Sequence, residues 1–257
     1  MVNKGSYLQP FWADLFNHYI FCGFTLPSLG NMALTRESLN GHSTNYNKEK
    51  ILTMSEAKDF SLFSPLQTHS NEFIEVLPDI SNRGRYTKDD ALEGDAAITE
   101  NEKIMLLTTW ADCIPVILYS PGNNIVATIH SGWKGTYKQI INNVLSFFHK
   151  KGTNFEQLYA AVGPGIKKCC YEVGDDFLNY FTESQNILFE RRKDKLFFDL
   201  SYCVYLQLIE CGVKESNIDY CSYCTCCNEE PIFSSYRREK NLFQGQAAFI
   251  GMKNKYE

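Results

Sequence analysis

Three short apolar segments in the middle of the chain constrain its fold more than any other feature. Residues 104–109, 114–119 and 125–129 are rich in Ile, Leu and Val, and turn-forming residues such as Gly122 and Asn123 separate the last two segments. Short apolar runs bounded by turn residues predict buried strands. We therefore expect a sheet at the centre of the fold.

Helices are predicted on the C-terminal side of these strands. Between residues 136 and 150 apolar side chains recur at helical spacing, which predicts a helix with one buried face. A strand is expected over residues 158–162, followed by a helix whose first turn contains Asp175 and Asp176, because anions suit the positive end of a helix dipole. Residues 201–212 predict one more helix.

The segment that precedes these elements is more polar. Residues 36–50 contain Asn40-Gly41 and several further Asn and Ser residues, a composition typical of a surface loop. Strands and helices alternate in the middle of the chain, whereas its two ends are richer in predicted strands. The pattern predicts a mixed α/β or α+β fold, formed as one domain by residues 1–257.

Composition excludes several classes of protein. The 257 residues carry a net charge of -5 and contain no block of Lys and Arg, so nucleic acid is not an expected partner. No segment reaches the roughly 18 uncharged apolar residues that a membrane span needs. Lys4 and Asp14 interrupt the apolar residues near the N-terminus, unlike a signal peptide. We therefore expect a cytoplasmic protein whose ten cysteines are mostly reduced.

Two histidines and one cysteine occupy positions suited to a metal site. His130 follows the predicted strand 125–129, Cys113 lies between two predicted strands, and His69 lies in a polar segment further upstream. Side chains at strand ends project into the crevices where sites form. Two imidazoles and a thiolate suit zinc, and three protein ligands leave a fourth position open. From these residues alone, hydrogen-bonded structural histidines and a small buried thiol remain the alternatives.

Five motifs that follow one another in order are similar to those of a known family, the YfiH-type family. Its members are variously called laccase-type polyphenol oxidases, purine nucleoside phosphorylases or peptidoglycan editing factors. The motifs are Gln67-Thr68-His69, Ala111-Asp112-Cys113-Ile114-Pro115, His130-Ser131-Gly132-Trp133-Lys134-Gly135, Gly163-Pro164-Gly165-Ile166 with Tyr171-Glu172-Val173-Gly174, and Phe233-Ser234-Ser235-Tyr236-Arg237-Arg238.

The resemblance implies an α+β fold with α/β/β/α layers and mixed sheets. It also implies a zinc ion, with copper as the alternative metal, held in a pocket by His69, Cys113 and His130. The implied activity is cleavage of adenosine, inosine, guanosine and methylthioadenosine by phosphate, together with hydrolytic deamination of adenosine. Purine nucleosides and phosphate are therefore the expected small-molecule partners.

The motifs also provide candidates for the other roles that these reactions need. Deamination requires a proton shuttle, for which Asp112 and Glu172 are candidates, with a supporting or surface carboxylate as the alternative role of each. A bound phosphate requires cations, and the candidates are Lys134, Arg237 and Arg238, with solvated surface charge as the alternative.

Aromatic residues of the same motifs could bind the flat purine base. Trp133 and Tyr171 are the candidates for stacking, with a place in the core as the alternative. The chain departs from the family pattern at two places that concern anions. Asn47-Lys48 stands where Asn-Arg is usual, and Gln244-Gly245-Gln246 stands where the family often has Gly-Arg. Lys lacks the bidentate fork that Arg offers a phosphate.

Rival functions use the same residues differently. Cys113 could act as a nucleophile with His130 as its base, although a third ligand-type residue, His69, favours a metal. An amidase that edits peptidoglycan precursors and a zinc-stabilised interaction module are further alternatives. A coupled multicopper centre consumes many imidazoles, whereas this chain has five histidines in total.

A second cysteine-rich segment, Cys221-x-x-Cys224-x-Cys226-Cys227, resembles half of a structural zinc site. The sequence shows no matching second half, and no histidine follows His149. Cys203 and Cys211 could complete such a site only if folding brought them close. We therefore expect these cysteines, and likewise Cys169-Cys170, to be buried or partly exposed thiols, with a second metal or a redox role as the alternative.

Overall fold

Two six-stranded mixed sheets form the centre of the molecule. The computed structural model describes residues 1–33, 44–83, 89–181, 187–230 and 232–253. In spatial order, the first sheet contains β1 (Val2–Asn3), β2 (Tyr7–Gln9), β3 (Ile20–Thr25), β15 (Gln246–Met252), β7 (Ile104–Trp110) and β4 (Ser61–Phe63). The second contains β14 (Ile218–Tyr220), β10 (Tyr159–Val162), β8 (Ile114–Ser120), β9 (Ile125–Ser131), β6 (Ala96–Thr99) and β5 (Phe73–Glu75).

Smaller elements surround these sheets. A three-stranded sheet has the order β11 (Glu172–Val173), β13 (Lys195–Phe198) and β12 (Phe189–Arg192). The α-helices among the described residues are α1 (Thr44–Met54), α2 (Trp133–Tyr137), α3 (Ile140–Lys150), α4 (Leu200–Glu210) and α5 (Tyr236–Glu239). None of the helices in this part of the chain combines the length and the apolar composition that crossing a membrane requires.

The alternating direction of side chains along the central strands explains how the sheets and helices form layers. Successive side chains of a strand point to opposite faces. In β7, Leu106 packs between the two sheets, whereas Leu107 packs with Ile51 of α1 on the outer face. In β8, Ile117 faces the first sheet and Val116 belongs to the core that the second sheet forms with α3 and α4. The predicted α/β/β/α layering and α+β class are therefore confirmed.

Most predicted elements are present, with shifted boundaries. The three apolar segments form β7, β8 and β9, and residues 201–212 contain most of α4. The helix expected over 136–150 is instead two helices, α2 and α3, because Gln139 adopts a left-handed conformation with φ of 63° between them. The helix that begins with Asp175 is a short 3-10 helix, Asp175–Asn179.

The surface loop predicted for residues 36–50 was wrong over its second half, which belongs to α1. Residues 36–43 lie outside the described residues. The helix is weakly amphipathic, but Ile51 and Leu52 are fully buried against the outer face of the first sheet. Asn47 is also buried and donates a hydrogen bond to the carbonyl of Asn31. Polar composition misled the prediction because tertiary packing buries part of the polar segment.

Candidate metal centre

A cavity of about 640 Å³ opens where the segments after β4, β7 and β9 meet. Its volume lies within the range of pockets that bind small molecules, which is roughly 300 to 1,000 Å³. The lining is mainly apolar and aromatic, with a few polar groups. The lining residues are Ala33, Gln67, His69, Thr109, Trp110, Ala111, Asp112, Cys113, His130, Trp133, Ile166, Tyr171, Leu200, Tyr236, Arg237, Phe243 and Gly245.

The three predicted metal ligands lie together in this cavity. The donor atoms of His69, Cys113 and His130 are all within 4.8 Å of one another. The sulfur of Cys113 is 3.8 Å from Nε2 of His69. Strand pairing explains part of this arrangement, because β8 and β9 are antiparallel and Ile114 pairs with Ser131. Cys113, just before β8, therefore lies close to His130 at the same end of these two central strands.

Asp95, a residue that the sequence analysis missed, holds both histidines in place. Its buried carboxylate accepts hydrogen bonds from the backbone N–H groups of Thr68, His69 and Ser70, and its Oδ1 lies 2.8 Å from Nδ1 of His130. Because Nδ1 of His130 is engaged by Asp95, Nε2 is the nitrogen left to bind a metal. Carboxylates that orient a ligating histidine in this way are common in metal sites.

The position of Asp95 in the sequence contains a weak signal of this role. It directly precedes the apolar strand β6 and is fully buried, although a buried carboxylate needs partners. Burial acts to raise the pKa of Asp95, but hydrogen bonds from His130 and Ser70 hold it below its usual value. The carboxylate is therefore ionised and can support a cation at His130.

The loop that carries His69 is held on its other side by Gln67. The side-chain amide of Gln67 donates a hydrogen bond to the carbonyl of Thr109 and accepts one from the backbone N–H of Thr109, each over 2.7 Å. His69 itself has a φ of 59°, a left-handed conformation that costs free energy for a residue other than glycine. The bonds to Asp95 and Thr109 maintain this conformation, so the His69 side chain stays at the cavity.

Electrostatics favour the thiolate form of Cys113. Burial acts to raise the pKa of Cys113, but the charges and hydrogen bonds of His130 and His69 lower it well below its usual value. Burial acts to lower the pKa of His130, but Cys113 and Asp95 raise it. These interactions therefore favour the thiolate form of Cys113 and the imidazolium form of His130. A metal ion would replace the imidazolium proton as the positive charge beside the thiolate, which is the ligand form of cysteine.

Gly132 provides the space in which these side chains meet. A Cβ atom at this position would lie 2.9 Å from Cδ2 of His69 and 3.0 Å from the sulfur of Cys113. Both distances are shorter than ordinary carbon contacts. The glycine of the His130-Ser131-Gly132-Trp133 motif is therefore required by the close approach of two ligand side chains to the backbone.

The donor set fits a transition-metal ion. Two imidazoles and one thiolate suit zinc or copper, and Asp95 provides the outer support that such ligands usually have. Within the part of the chain that the structure describes, no fourth His, Cys, Asp or Glu joins this group. Catalytic zinc sites have this composition, whereas structural zinc sites close their shell with a fourth protein ligand.

Asp112 lines the cavity, but its carboxylate is already engaged. Oδ1 accepts a hydrogen bond from Oγ1 of Thr225 over 2.5 Å, and Oδ2 accepts from the backbone N–H of Arg237 over 2.6 Å. The backbone of Asp112 has a φ of 84°, and the next residue is Cys113. Asp112 thus connects the segment that contains Cys113 to two other segments of the chain.

Three further predicted site residues do not line the cavity that the described residues form. The carboxylate of Glu172 is 2.8 Å from Nζ of Lys195 in a largely exposed ion pair. Lys134 is exposed, with its ammonium 5.7 Å from the centre of the Trp133 ring. Arg238 donates hydrogen bonds to the carbonyls of Thr225 and Cys226 and does not reach the cavity.

The other three predicted residues do line the cavity. Arg237 donates from Nη2 to the carbonyl of Glu172 over 3.0 Å, and its guanidinium lies 5.4 Å from the centre of the Tyr171 ring. Trp133 packs against Phe177, with ring centres 5.0 Å apart, while also facing the cavity. Among the described residues, Arg237 and several aromatic side chains therefore line the cavity beside the three candidate ligands.

Asn47 and Lys48, which replace the usual Asn-Arg pair, are not among the lining residues either. Lys48 is fully buried, and burial lowers its pKa to about 7, against the opposing effect of Asp90. Asn47 supports the cavity indirectly, since it bonds Asn31, whose side chain accepts the N–H of Gly245 at the cavity wall. These two residues therefore act in packing rather than at the cavity surface.

Comparison with known proteins identifies the family of this chain. Residues 31–253 match the family described as multi-copper polyphenol oxidoreductase laccase. The chain belongs to this family. The predicted resemblance is thereby confirmed. Two relatives whose names place them among purine nucleoside phosphorylases are each 36% identical over 194 residues. The relative from Staphylococcus aureus (strain COL) aligns over 73% of this chain and 71% of the relative's length. The relative from Staphylococcus epidermidis aligns over 74% of this chain and 72% of the relative's length.

Solved structures of the family show the same fold. The YfiH protein of Bacillus licheniformis superposes with a TM-score of 0.88 at 25% identity, covering 97% of this chain and 98% of that one. YlmD of Geobacillus stearothermophilus superposes with a TM-score of 0.84 at 24% identity, covering 91% and 92%. The superpositions extend over nearly the whole chain, so the layered architecture is that of the family.

Proposed function

We propose that the chain is a zinc-dependent purine nucleoside phosphorylase that cleaves adenosine, inosine, guanosine and methylthioadenosine with phosphate and also deaminates adenosine. The main supporting observation is that Arg237 and the aromatic residues Trp133 and Tyr171 line one cavity together with His69, Cys113 and His130. The names of the staphylococcal relatives support the reaction class. We place the activity in the cytoplasm, where the free thiols would stay reduced.

Zinc is the proposed metal, and copper is the alternative. A zinc ion held by His69, Cys113 and His130 would supply Lewis-acid chemistry at the cavity wall. A coupled multicopper centre needs many imidazoles, whereas the metal-binding groups among the described residues contain two. The donor set therefore favours a single ion over the oxidase chemistry that the family description names.

The residues of this chain would position the two substrates. Trp133 and Tyr171 present aromatic faces on which a purine base can stack. Arg237 is anchored by one bond to the Glu172 carbonyl, and a guanidinium has five N–H donors, so it can also bind a phosphate inside the cavity. Because Lys134 and Arg238 lie outside the cavity, we assign phosphate binding to Arg237.

Asp112 would act mainly as a positioning residue. Both of its carboxylate oxygens accept hydrogen bonds that hold Thr225 and the start of α5, which contains Arg237. A proton-shuttle role would require one of these bonds to open. Glu172 is a weaker candidate for the shuttle, because its carboxylate pairs with Lys195 at the surface.

A matched pair of arginine and lysine variants tests the proposed phosphate site. We expect Arg237→Gln to raise the KM for phosphate by roughly 10- to 150-fold, because a charge-assisted contact contributes about 1.5–3 kcal/mol. Phosphate-independent deamination of adenosine should change little. Lys134→Gln, which removes a cation outside the cavity, should leave both activities near wild type. Equal effects of the two variants would contradict the assignment.

A cysteine hydrolase is the second candidate, because Cys113, His130 and Asp95 have the order of a nucleophile, base and orienting carboxylate. His69 on the other side of the sulfur favours a metal instead. Mass spectrometry of the enzyme trapped during turnover distinguishes the two. We expect no substrate adduct on Cys113, and a stoichiometric adduct would support the hydrolase.

A further inference from the structure

Four cysteines outside the cavity form a second group of metal-ligand side chains. The sulfur atoms of Cys169, Cys170, Cys224 and Cys227 all lie within 4.8 Å of one another. The relevant Cys-x-x-Cys unit is therefore Cys224 to Cys227, and its second half is the adjacent pair Cys169-Cys170. The expectation that no second half exists was wrong, because the two halves are distant in sequence and meet only in the fold.

Backbone pairing brings the two halves together. Gly165 and Cys224 form an isolated parallel bridge, and the N–H of Thr225 bonds the carbonyl of Gly165 over 3.2 Å. Each half then forms a tight turn. The N–H of Cys170 bonds the carbonyl of Lys167, and the N–H of Asn228 bonds the carbonyl of Cys224. Each of the two adjacent turns thus contributes two cysteine side chains to the same group.

The spacing of the sulfurs suits a shared metal ion better than disulfides. The sulfurs of Cys169 and Cys227 are 3.5 Å apart, far beyond the disulfide bond length of about 2.05 Å. In a tetrahedral zinc site with Zn–S bonds of about 2.3 Å, neighbouring sulfurs lie about 3.8 Å apart. All four cysteines are free thiols. The observed spacing therefore matches one edge of such a tetrahedron.

The surroundings also suit a group of thiolates. The guanidinium of Arg192, which is paired with Glu190, bonds the carbonyls of Lys168 and Cys169 beside the group. A nearby cation helps to stabilise the negative charge that four thiolates around a divalent ion retain.

We propose that Cys169, Cys170, Cys224 and Cys227 bind a structural zinc ion that is distinct from the metal of the cavity. Four protein thiolates close the coordination shell, as in structural zinc sites. The ion would tie the turn after β10 to the turn after β14. These turns support the cavity wall, since Tyr171 directly follows Cys170 and Thr225 bonds Asp112.

Metal analysis of three proteins tests this inference. Protein purified under reducing conditions and loaded with zinc should contain about two zinc ions per chain by elemental analysis and native mass spectrometry. Cys227→Ser should lose one of them. Cys226→Ser is the matched control, because Cys226 lies in the same turn but outside the group, and it should keep both. Equal zinc contents of Cys227→Ser and Cys226→Ser would overturn the proposal.

A second measurement does not depend on the folding of Cys227→Ser. His69→Ala removes one ligand of the cavity group and leaves the four-cysteine group intact. This variant should therefore bind about one Co²⁺ per chain, with the intense sulfur-to-cobalt charge-transfer bands of a four-thiolate site. Chelation should abolish the bands and lower the midpoint of thermal unfolding. No cobalt binding, or disulfides among the four cysteines in the reduced protein, would contradict a structural zinc site.

Discussion

The cavity group and the four-cysteine group differ in their ligands and in what surrounds them. His69, Cys113 and His130 leave one side open to a cavity, and Asp95 orients the histidines from behind. The four cysteines lie on two turns and supply enough thiolates to complete a tetrahedral shell. An open shell suits catalysis, whereas a closed shell suits structural support. The comparison shows that the same fold places an open group of candidate ligands and a closed one at separate positions.

Removal of a cavity ligand should give the largest effect and should separate the two groups most sharply. Cys113→Ser and His130→Ala are each expected to lose the cavity metal and with it the nucleoside activity, because a three-ligand site loses its chelate geometry. The metal of the four-cysteine group should stay. Elemental analysis after removal of loosely bound ions checks this. Full metal retention in both variants would show that the cavity group is not a metal site.

Gly132→Ala should damage the cavity group by steric overlap without removing a ligand. The new Cβ would lie within about 3 Å of both His69 and Cys113, so the ligands must move apart. We expect a loss of metal affinity and a decrease of about 1–3 kcal/mol in the free energy of unfolding. Gly122→Ala is the control, since its Cβ would meet one atom at 4.0 Å. Isothermal titration with Zn²⁺ and denaturant unfolding measure both effects.

Asp95→Asn should weaken the cavity site more mildly. The amide keeps the size of the side chain but removes the charge that supports His130. Loss of such an orienting carboxylate typically lowers metal affinity by about 10- to 100-fold. Competition with a chromophoric chelator measures the change. Asp175→Asn, which alters an exposed carboxylate paired with Arg191, should have no such effect.

Thr225→Val tests the connection between the two groups and should have the smallest effect on the bound metal. Its hydroxyl bonds Asp112, beside Cys113, and its backbone lies in the turn between Cys224 and Cys227. Loss of this buried bond should lower the free energy of unfolding by about 1–3 kcal/mol, because it leaves Asp112 under-satisfied. The stoichiometry of zinc should not change. Thr53→Val, at an exposed helical position, is the control for stability.

Local patterns predicted the central strands, the resemblance of the motifs pointed to His69, Cys113 and His130, and non-local contacts account for what both missed. β7, β8 and β9 are continuous apolar runs, so their burial could be inferred from composition. The partners of Asp95 lie on the loop of residues 68–70 and at the end of β9, and no local pattern links these segments to the start of β6. Helix α1 contains the buried Lys48, which sequence polarity assigns to the surface. The four-cysteine group depends on the pairing of Gly165 with Cys224.

Product analysis of inosine with and without phosphate tests the proposed activity most directly. Metal-assayed protein would be incubated with inosine, and hypoxanthine and ribose 1-phosphate would be measured by chromatography. His69→Ala is the control, because it should keep the metal of the four-cysteine group but lose that of the cavity. We expect both products only with phosphate and only from the wild-type protein. Hypoxanthine release that is independent of phosphate would indicate a hydrolase, and no turnover of any nucleoside by the metal-loaded protein would contradict the proposed function.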